Sequence, residues 1–397
     1  MAEWISKTLG ELTSFISKGI PPKYVDEENE NTIRVLNQKC NRNFEISYNE
    51  SRIHNAAVKK VPENKLLHSG DVLINSTGTG TAGRVAQIFN IPMPTTVDGH
   101  MILLRPTKEI DPLYYGYVIK SYQKKIESLA EGSTGQTEIN RQRLQDEIYI
   151  TFPKDRALQK EIGTFLFQID EKIKNNSEIN NNLEQQAKAI FSNEFLTLET
   201  LPDGWKQASL IDIADYLNGL AMQKYRPTAD ETGIPVLKIK ELRQGCCDDN
   251  SELCSPNIKS EYIIHDGDVI FSWSGSLLVD FWCGGICGLN QHLFKVTSNK
   301  YNKWFYYAWT KHHLDRFIAV AADKATTMGH IKRDELSKAE VLIPNEADYK
   351  RIETLLQPIY DLIIANRIEN KKLAETRDTL LPKLMNGEID ISEVDYE

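Results

Sequence analysis

Apolar residues recur at helical spacing along two long stretches of the chain. From Ile162, steps of four and three residues reach Leu166, Ile169, Ile173, Asn176, Asn180, Leu183, Ala187 and Ile190. From Ile352 the same stepping reaches Leu356, Ile359, Ile363, Asn366, Asn370, Leu373, Arg377 and Leu380. Such a stripe is the seam of a coiled coil. Both seams carry Asn at the fifth and sixth positions and Leu at the seventh. A seam Asn sets register at a cost in stability, so the shared pair marks two copies of one long helix. A continuous helix of ~40 residues spans roughly 60 Å. Gly163 falls early in the first helix. Pro358, inside the second, is expected to kink it or delay its regular start.

The segments before each helix also match. Trp4 and Trp205 each open a short amphipathic pattern. Thr32–Leu36 and Ile234–Lys238 read as strands from their β-branched content. A Gly-Asp turn then delivers a buried strand in each half, at Gly70-Asp71 and Gly267-Asp268. Gly99-His100-Met101 matches Gln291-His292-Leu293, and Tyr114–Tyr117 matches Trp304–Tyr307. Phe152-Pro153 and Ile343-Pro344 end strands just before the long helices. The period of roughly 190 to 200 residues is far longer than the 20 to 50 of solenoid repeats. This is a tandem duplication of a domain plus its helix, linked by Thr197–Gly204 with Pro202 as punctuation. Short strands, few helices and many polar loops give an α+β fold class. The expected organisation is a globular domain at 1–154, a helix at 155–196, a second domain at 197–344, a second helix at 345–387 and an acidic tail at 388–397.

Composition changes this picture little. With 397 residues, 41% hydrophobic and 26% charged, the chain has enough apolar surface for sizeable cores. It shows no signal-peptide pattern and no run of ~18 apolar residues that would span a membrane. Its six cysteines fit a reducing cytoplasm better than a disulfide framework. A net charge of −9 argues against indiscriminate nucleic-acid binding by the whole surface, not against a local basic face.

Signs of catalysis are sparse. Gly78-Thr79-Gly80-Thr81-Ala82-Gly83 fits G-x-G-x-x-G, but the strand-like RVAQIFNIP follows it and no acidic residue is suitably placed for a ribose. Cys283 and Cys287 meet zinc-ligand spacing loosely; Cys40, Cys246, Cys247 and Cys254 do not, so no metal site is assigned. His312, His313 and His330 lack ligand-spaced partners. No Walker lysine motif, nucleophile elbow or H-E-x-x-H helix occurs. What recurs is a polar, basic loop, Gly132–Arg143 in the first half and Lys324–Arg333 in the second. Its residue types read base edges and phosphates; equally, it is the solvated turn that caps a helix starting near Ile139 or Ile331.

The order and duplication of these features resemble the DNA-specificity subunit of type I restriction–modification systems. The resemblance rests on Ser133-Thr134-Gly135-Gln136, Ile139, Leu144, Ile150, Pro153, Gln159, Ile162 and Asp170, and on Leu381–Ile389 at the helix end. It covers the chain almost end to end. The second half departs from it, with Thr326-Thr327-Met328-Gly329-His330 where the first has Thr134-Gly135-Gln136. The resemblance implies a non-catalytic reader of double-stranded DNA. Each domain would read one half of a split target, and the helices would pair antiparallel and set the gap. They would also dock two modification subunits, which methylate adenine with S-adenosylmethionine. Restriction subunits would add ATP- and Mg-dependent translocation and cleavage; this chain itself would hold no cofactor. Expected DNA contacts are Thr77, Thr79, Arg84, Gln136, Arg141 and Arg143, and then Ser274, Ser276, Lys324, Thr327, His330, Lys332 and Arg333. Phe165, Phe167 and Phe191 are candidate anchors for partner subunits, or else pack on their own domains. A reader in another restriction assembly, a coiled-coil scaffold that does not read DNA, and a nucleotide enzyme at Gly78–Gly83 remain as alternatives.

Overall fold

The computed structural model describes residues 3–132, 137–323 and 333–394. The chain forms two compact units, Met1–Glu171 with Glu375–Glu397, and Lys172–Ala374. In the first unit, an antiparallel sheet runs in the order Thr13–Lys18, Met101–Pro106, Val72–Asn75, Val85–Gln87. Its two central strands are short continuous apolar runs, and Met101–Leu104 and Val72–Ile74 are buried. A second sheet has the order Thr95–Val97, Thr32–Leu36, Arg52–Asn55, Tyr24–Val25, with the first two strands parallel. Trp4–Thr8 pairs antiparallel with Tyr149–Pro153, the strand that leads into the first long helix. Asp111 caps the helix Pro112–Ser121, its Oδ1 accepting from the Leu113 amide at 2.9 Å.

The second unit repeats this plan. Its antiparallel sheet has the order Asp215–Asn218, Leu293–Thr297, Val269–Ser272, Leu278–Phe281. Its second sheet keeps the parallel pair, Ile234–Leu237 with Cys287–Leu289. Lys206–Ser209 pairs with Glu340–Ile343, which leads into the second long helix. The aromatic helix Lys303–His312 buries Trp304, Phe305, Tyr306, Tyr307 and Trp309 in the largest core. The edge strands differ: Tyr24–Val25 closes one second sheet, and Ile263–Ile264 the other.

The long helices run Arg156–Phe191 and Glu346–Met385. Asp155 caps the first, accepting from the Ala157 amide at 2.8 Å. Asn345 caps the second, accepting from the Asp348 amide at 2.9 Å. The second helix is continuous through Pro358, so its start is not delayed as the proline suggested. The cap at Asn345 starts the helix more than three turns ahead of the proline, and Ile352, Leu356 and Tyr360 are buried around it. That burial outweighs the roughly 3 kcal/mol that an interior proline costs.

Within the second unit the two helices pair antiparallel. Asn176 Nδ2 donates to Asn370 Oδ1, and Asn366 Nδ2 to Asn180 Oδ1, each at 2.9 Å. Further amide hydrogens reach backbone carbonyls: Asn180 donates to Ile363 at 3.3 Å and Asn370 to Ile173 at 3.1 Å. Ile162, Leu166, Ile169, Asn176, Asn180, Ile352, Leu356, Ile363 and Asn366 are buried, while Ile173, Leu183, Ile359, Asn370 and Leu373 are half-buried. Within the first unit, Arg377 donates to Asp170 at 2.5 Å, and the same carboxylate accepts from the Tyr117 hydroxyl at 2.6 Å. The phenylalanines proposed as partner anchors are used internally. Phe165 and Phe191 are buried, and Phe167 packs edge-on against Phe89 at 5.3 Å. For Phe165 and Phe191 the packing alternative holds, whereas Phe167 is only partly buried.

Three outcomes follow from this packing. A Cβ at Gly163 would lie 2.7 Å from the Tyr114 amide nitrogen, where the helix Pro112–Ser121 meets the first long helix. Gly163→Ala should therefore destabilise the chain by about 1–3 kcal/mol, read from denaturant midpoints. Asn180→Ala and Asn366→Ala should each destabilise, but the double variant should cost less than the sum, with a coupling of roughly 0.5–3 kcal/mol. His313 is buried and its Nε2 donates to the Glu340 carbonyl at 2.7 Å. Burial pushes its pKa down to about 4, below the ordinary 6.5. The unfolded chain thus binds the proton more readily between these values. Stability is full above 6.5 and falls as pH drops to about 4, by on the order of 3 kcal/mol. His313→Gln should flatten that slope in thermal unfolding.

Candidate nucleic-acid interface

At one end of the main sheet of the first unit, several loops converge. The strand Thr13–Lys18 ends at Gly19, whose amide donates to the Met101 carbonyl at 3.1 Å. A Cβ at Gly19 would overlap the carbonyl oxygens of Val97 and Asp98, so only glycine permits this approach. The segment it supports is an Asx turn: Asp98 Oδ1 accepts from the His100 amide at 2.9 Å. His100 is exposed, and its Nδ1 lies 3.0 Å from Thr77 Oγ1. Thr77 also forms a bridge with Glu138, and the Ile139 amide donates to the Ser76 carbonyl at 2.8 Å. The Gly78–Gly83 turn and the second part of the polar loop are thus neighbours, although 60 residues separate them in sequence.

Basic side chains surround this edge. Lys18 forms an ion pair with Glu138. Lys65 Nζ donates to the Lys18 and Gly19 carbonyls at 2.8 and 3.0 Å. Burial lowers the Lys65 pKa, and the charges of Arg141 and Lys59 lower it further. Three cations therefore crowd near the loop, which favours an anion there.

The same device stands in the second unit. Gly219 donates to the Leu293 carbonyl at 3.0 Å, and a Cβ there would overlap the Asn290 carbonyl. Asn290 Oδ1 accepts from the His292 amide at 3.2 Å. His292 Nδ1 lies 3.1 Å from Ser274 Oγ. His292 lines a cleft of about 460 Å³ together with Arg226, Lys238, Lys240, Glu252 and Gln291. Glu252 pairs with Arg226 at 3.0 Å and with Lys238 at 2.5 Å.

The expected DNA contacts fare unequally. Thr79 is exposed on the glycine turn, and Arg84 folds back to donate to the Gly80 carbonyl at 3.1 Å. Asn140 caps the helix Arg141–Glu147, accepting from the Gln142 amide at 2.8 Å, so the loop does cap a helix. Arg141 is exposed at its first turn. Arg143 is held by Glu147 at 2.6 and 2.9 Å and also by Glu131. Ser274 is only 2% exposed, whereas Ser276 is exposed. Arg333 is exposed and donates to the Tyr216 carbonyl at 2.8 Å. Gln136, Lys324, Thr327, His330 and Lys332 lie outside the described residues. Sequence reasoning missed Lys18, Lys65, His100, Arg226, Lys238, Lys240, Gln291 and His292. The signal for two of them was present, since His100 and His292 occupy matching places in the duplication.

The glycine turn enters the strand Val85–Gln87 and so does not open a helix of its own. Cys254, Cys283 and Cys287 are buried; burial raises Cys283 to about 11 and Cys287 further. Among the described residues, no group of three His, Cys, Asp or Glu side chains is placed to hold a metal ion, and no helix is long and apolar enough to cross a membrane.

The chain resembles known proteins along its whole length. It is 26% identical to the type I restriction enzyme MjaIX specificity subunit of Methanocaldococcus jannaschii, covering 99% of this chain and 95% of that one. It is 20% identical to the HindI specificity subunit of Haemophilus influenzae, covering 98% and 100%. The crystal structure of the type I restriction–modification S subunit of M. genitalium shares the fold, with a TM-score of 0.60 at 16% identity and 96% of each chain covered. The family model for the type I restriction modification DNA specificity domain matches twice, over residues 1–185 and 202–375. The chain therefore belongs to the type I restriction–modification DNA-specificity family, as a non-catalytic specificity subunit carrying two tandem copies of the specificity domain.

Proposed function

We propose that this chain reads a bipartite double-stranded DNA target, one half with each domain, and directs adenine methylation or cleavage by partner subunits in the cytoplasm. The observation that carries the reading is the duplicated sheet edge. A glycine-supported Asx turn, a hydroxyl–imidazole pair and nearby cations recur at the same topological place in two domains. Two readers in one chain form a pseudo-dimer, for which half-site spacing is a matter of protein geometry. Two modification subunits supply S-adenosylmethionine chemistry, and restriction subunits supply ATP- and Mg-driven cleavage. The partners also contribute positive surface, which reconciles DNA binding with a net charge of −9.

Methylation mapping tests this directly. DNA from cells holding this gene and its neighbours should carry a split adenine-methylated motif that disappears when this gene alone is deleted. Replacing residues 1–150 with those of a relative should change one half of the motif only. If no methylation depends on the gene, the system is silent or the chain is a scaffold, and a pull-down for its helix-bound partners separates the two. In the assembled complex, Arg141→Ala should reduce the salt slope of DNA binding by about 1 if it contacts a phosphate. Arg143→Ala should leave the slope nearly unchanged, because two glutamates already hold that guanidinium.

A further inference from the structure

The two hydroxyl–imidazole pairs differ from the buried histidines His54 and His313. His54 shows what a structural imidazole looks like here: it is fully buried, its Nδ1 accepts from the Lys23 amide at 2.8 Å, and its Nε2 donates to the Lys59 carbonyl at 2.7 Å. His313 is likewise buried and bonded to a backbone carbonyl. His100 and His292 are instead held at Nδ1 by a side-chain hydroxyl, with His100 exposed and His292 on the wall of a cleft. Nε2 of His100 is then the ring nitrogen left for a ligand. That of His292 is bonded to the Gln291 side-chain amide at 3.3 Å, and the two side chains line the cleft as a pair.

The chemistry is the same in both halves although the residues are not. Thr77 corresponds to Ser274 and Asp98 to Asn290, each pair keeping its oxygen while the rest of the side chain changes. The ladder registers agree: Asn75 faces Met101 and Ser272 faces Leu293, and the hydroxyl residue comes two positions beyond in each case. Two unrelated local accidents would not share the supporting glycine, the Asx oxygen and the hydroxyl. The hydroxyls themselves are poorly placed to touch a ligand. Ser274 is 2% exposed, and Thr77 Oγ1 is already engaged by Gln38 and His100.

We propose that His100 and His292 are base-reading residues, one for each half of the target, and that Thr77 and Ser274 are positioning residues that orient them. This rests on the DNA-reading assignment above. Near His100, Lys65 and Arg141 are the side chains suited to phosphates, Lys18 being paired with Glu138. In the cleft of His292, Arg226 and Lys238 share Glu252 and Lys240 is bonded to Asp248 at 2.9 Å, so a phosphate there competes with those carboxylates. An imidazole held at Nδ1 offers a single directed donor or acceptor at Nε2, which suits a base edge.

The test uses the full chain assembled with its modification subunits and a DNA library with each half-site randomised in turn, adenine methylation being read by sequencing. His100→Ala should relax one position in one half by about ten- to a hundredfold and leave the other half unchanged. His292→Ala should do the same in the opposite half. Thr77→Val and Ser274→Ala should relax those same positions, and Thr77→Ser should restore the wild-type preference. A purely structural role for the hydroxyl would not give a position-specific change. Should an alanine variant fail to assemble, His100→Gln and His292→Gln, which keep much of the volume, should still alter base choice at the same positions. Unchanged preference in both halves, or a uniform loss over all sequences as for a phosphate contact, overturns the proposal. A wild-type complex that methylates no specific sequence overturns the DNA-reading assignment, and this inference with it.

Discussion

The antiparallel seam with its four asparagines constrains the structure more than any other interaction. An amide buried between helices must find a partner or cost ~1–3 kcal/mol. The register that pairs Asn176 with Asn370 and Asn180 with Asn366 bonds all four, and spare hydrogens reach the Ile363 and Ile173 carbonyls. A slip of one turn would leave two of the four amides facing Ile or Leu. Hydrophobic seam residues alone would hold the helices together without choosing between such registers. The asparagines are stabilising only in the register observed.

Around the seam, each domain uses burial to fix its own helix. The first long helix accepts the helix Pro112–Ser121 at Gly163, and Gln159 bridges the Asp111 amide and the Pro153 carbonyl at 2.7 and 2.8 Å. The second long helix enters the aromatic core beside Trp304 and Tyr307. The sheets then present their loop ends as a rigid edge. Recognition chemistry on loops over such a scaffold is free to vary while the scaffold stays the same. The two edges show that freedom: one is ringed by Lys18, Lys65 and Arg141, the other by Arg226, Lys238 and Lys240 with Glu252 between two of them.

Much of the fold was legible because it obeys simple periods. The seam from Ile162 and Ile352 follows 3.5-residue spacing, and Val72–Ile74 and Val269–Phe271 are plain apolar runs behind a Gly-Asp turn. The delayed start expected from Pro358 did not occur because local propensity there is overridden by tertiary burial. Phe165 and Phe191 misled because an aromatic off the seam reads the same whether a partner or the chain's own domain covers it. At the candidate site, Thr77 and the Gly132–Arg143 loop were recognised as polar and recurrent. Lys18, Lys65 and Arg226 were not, since a single surface cation carries no sequence signal of its own.

The sequence by itself determined the duplication, the α+β class, the two long helices and the family. Each of these depends on repetition or periodicity, which is a one-dimensional property. Only the tertiary structure decided which polar groups share a surface. It placed Thr77 against His100 and Glu138, buried Ser274, and closed Arg143 between two glutamates. Those outcomes depend on sheet register and on close approach at Gly19 and Gly219, where strands remote in sequence come within hydrogen-bonding distance.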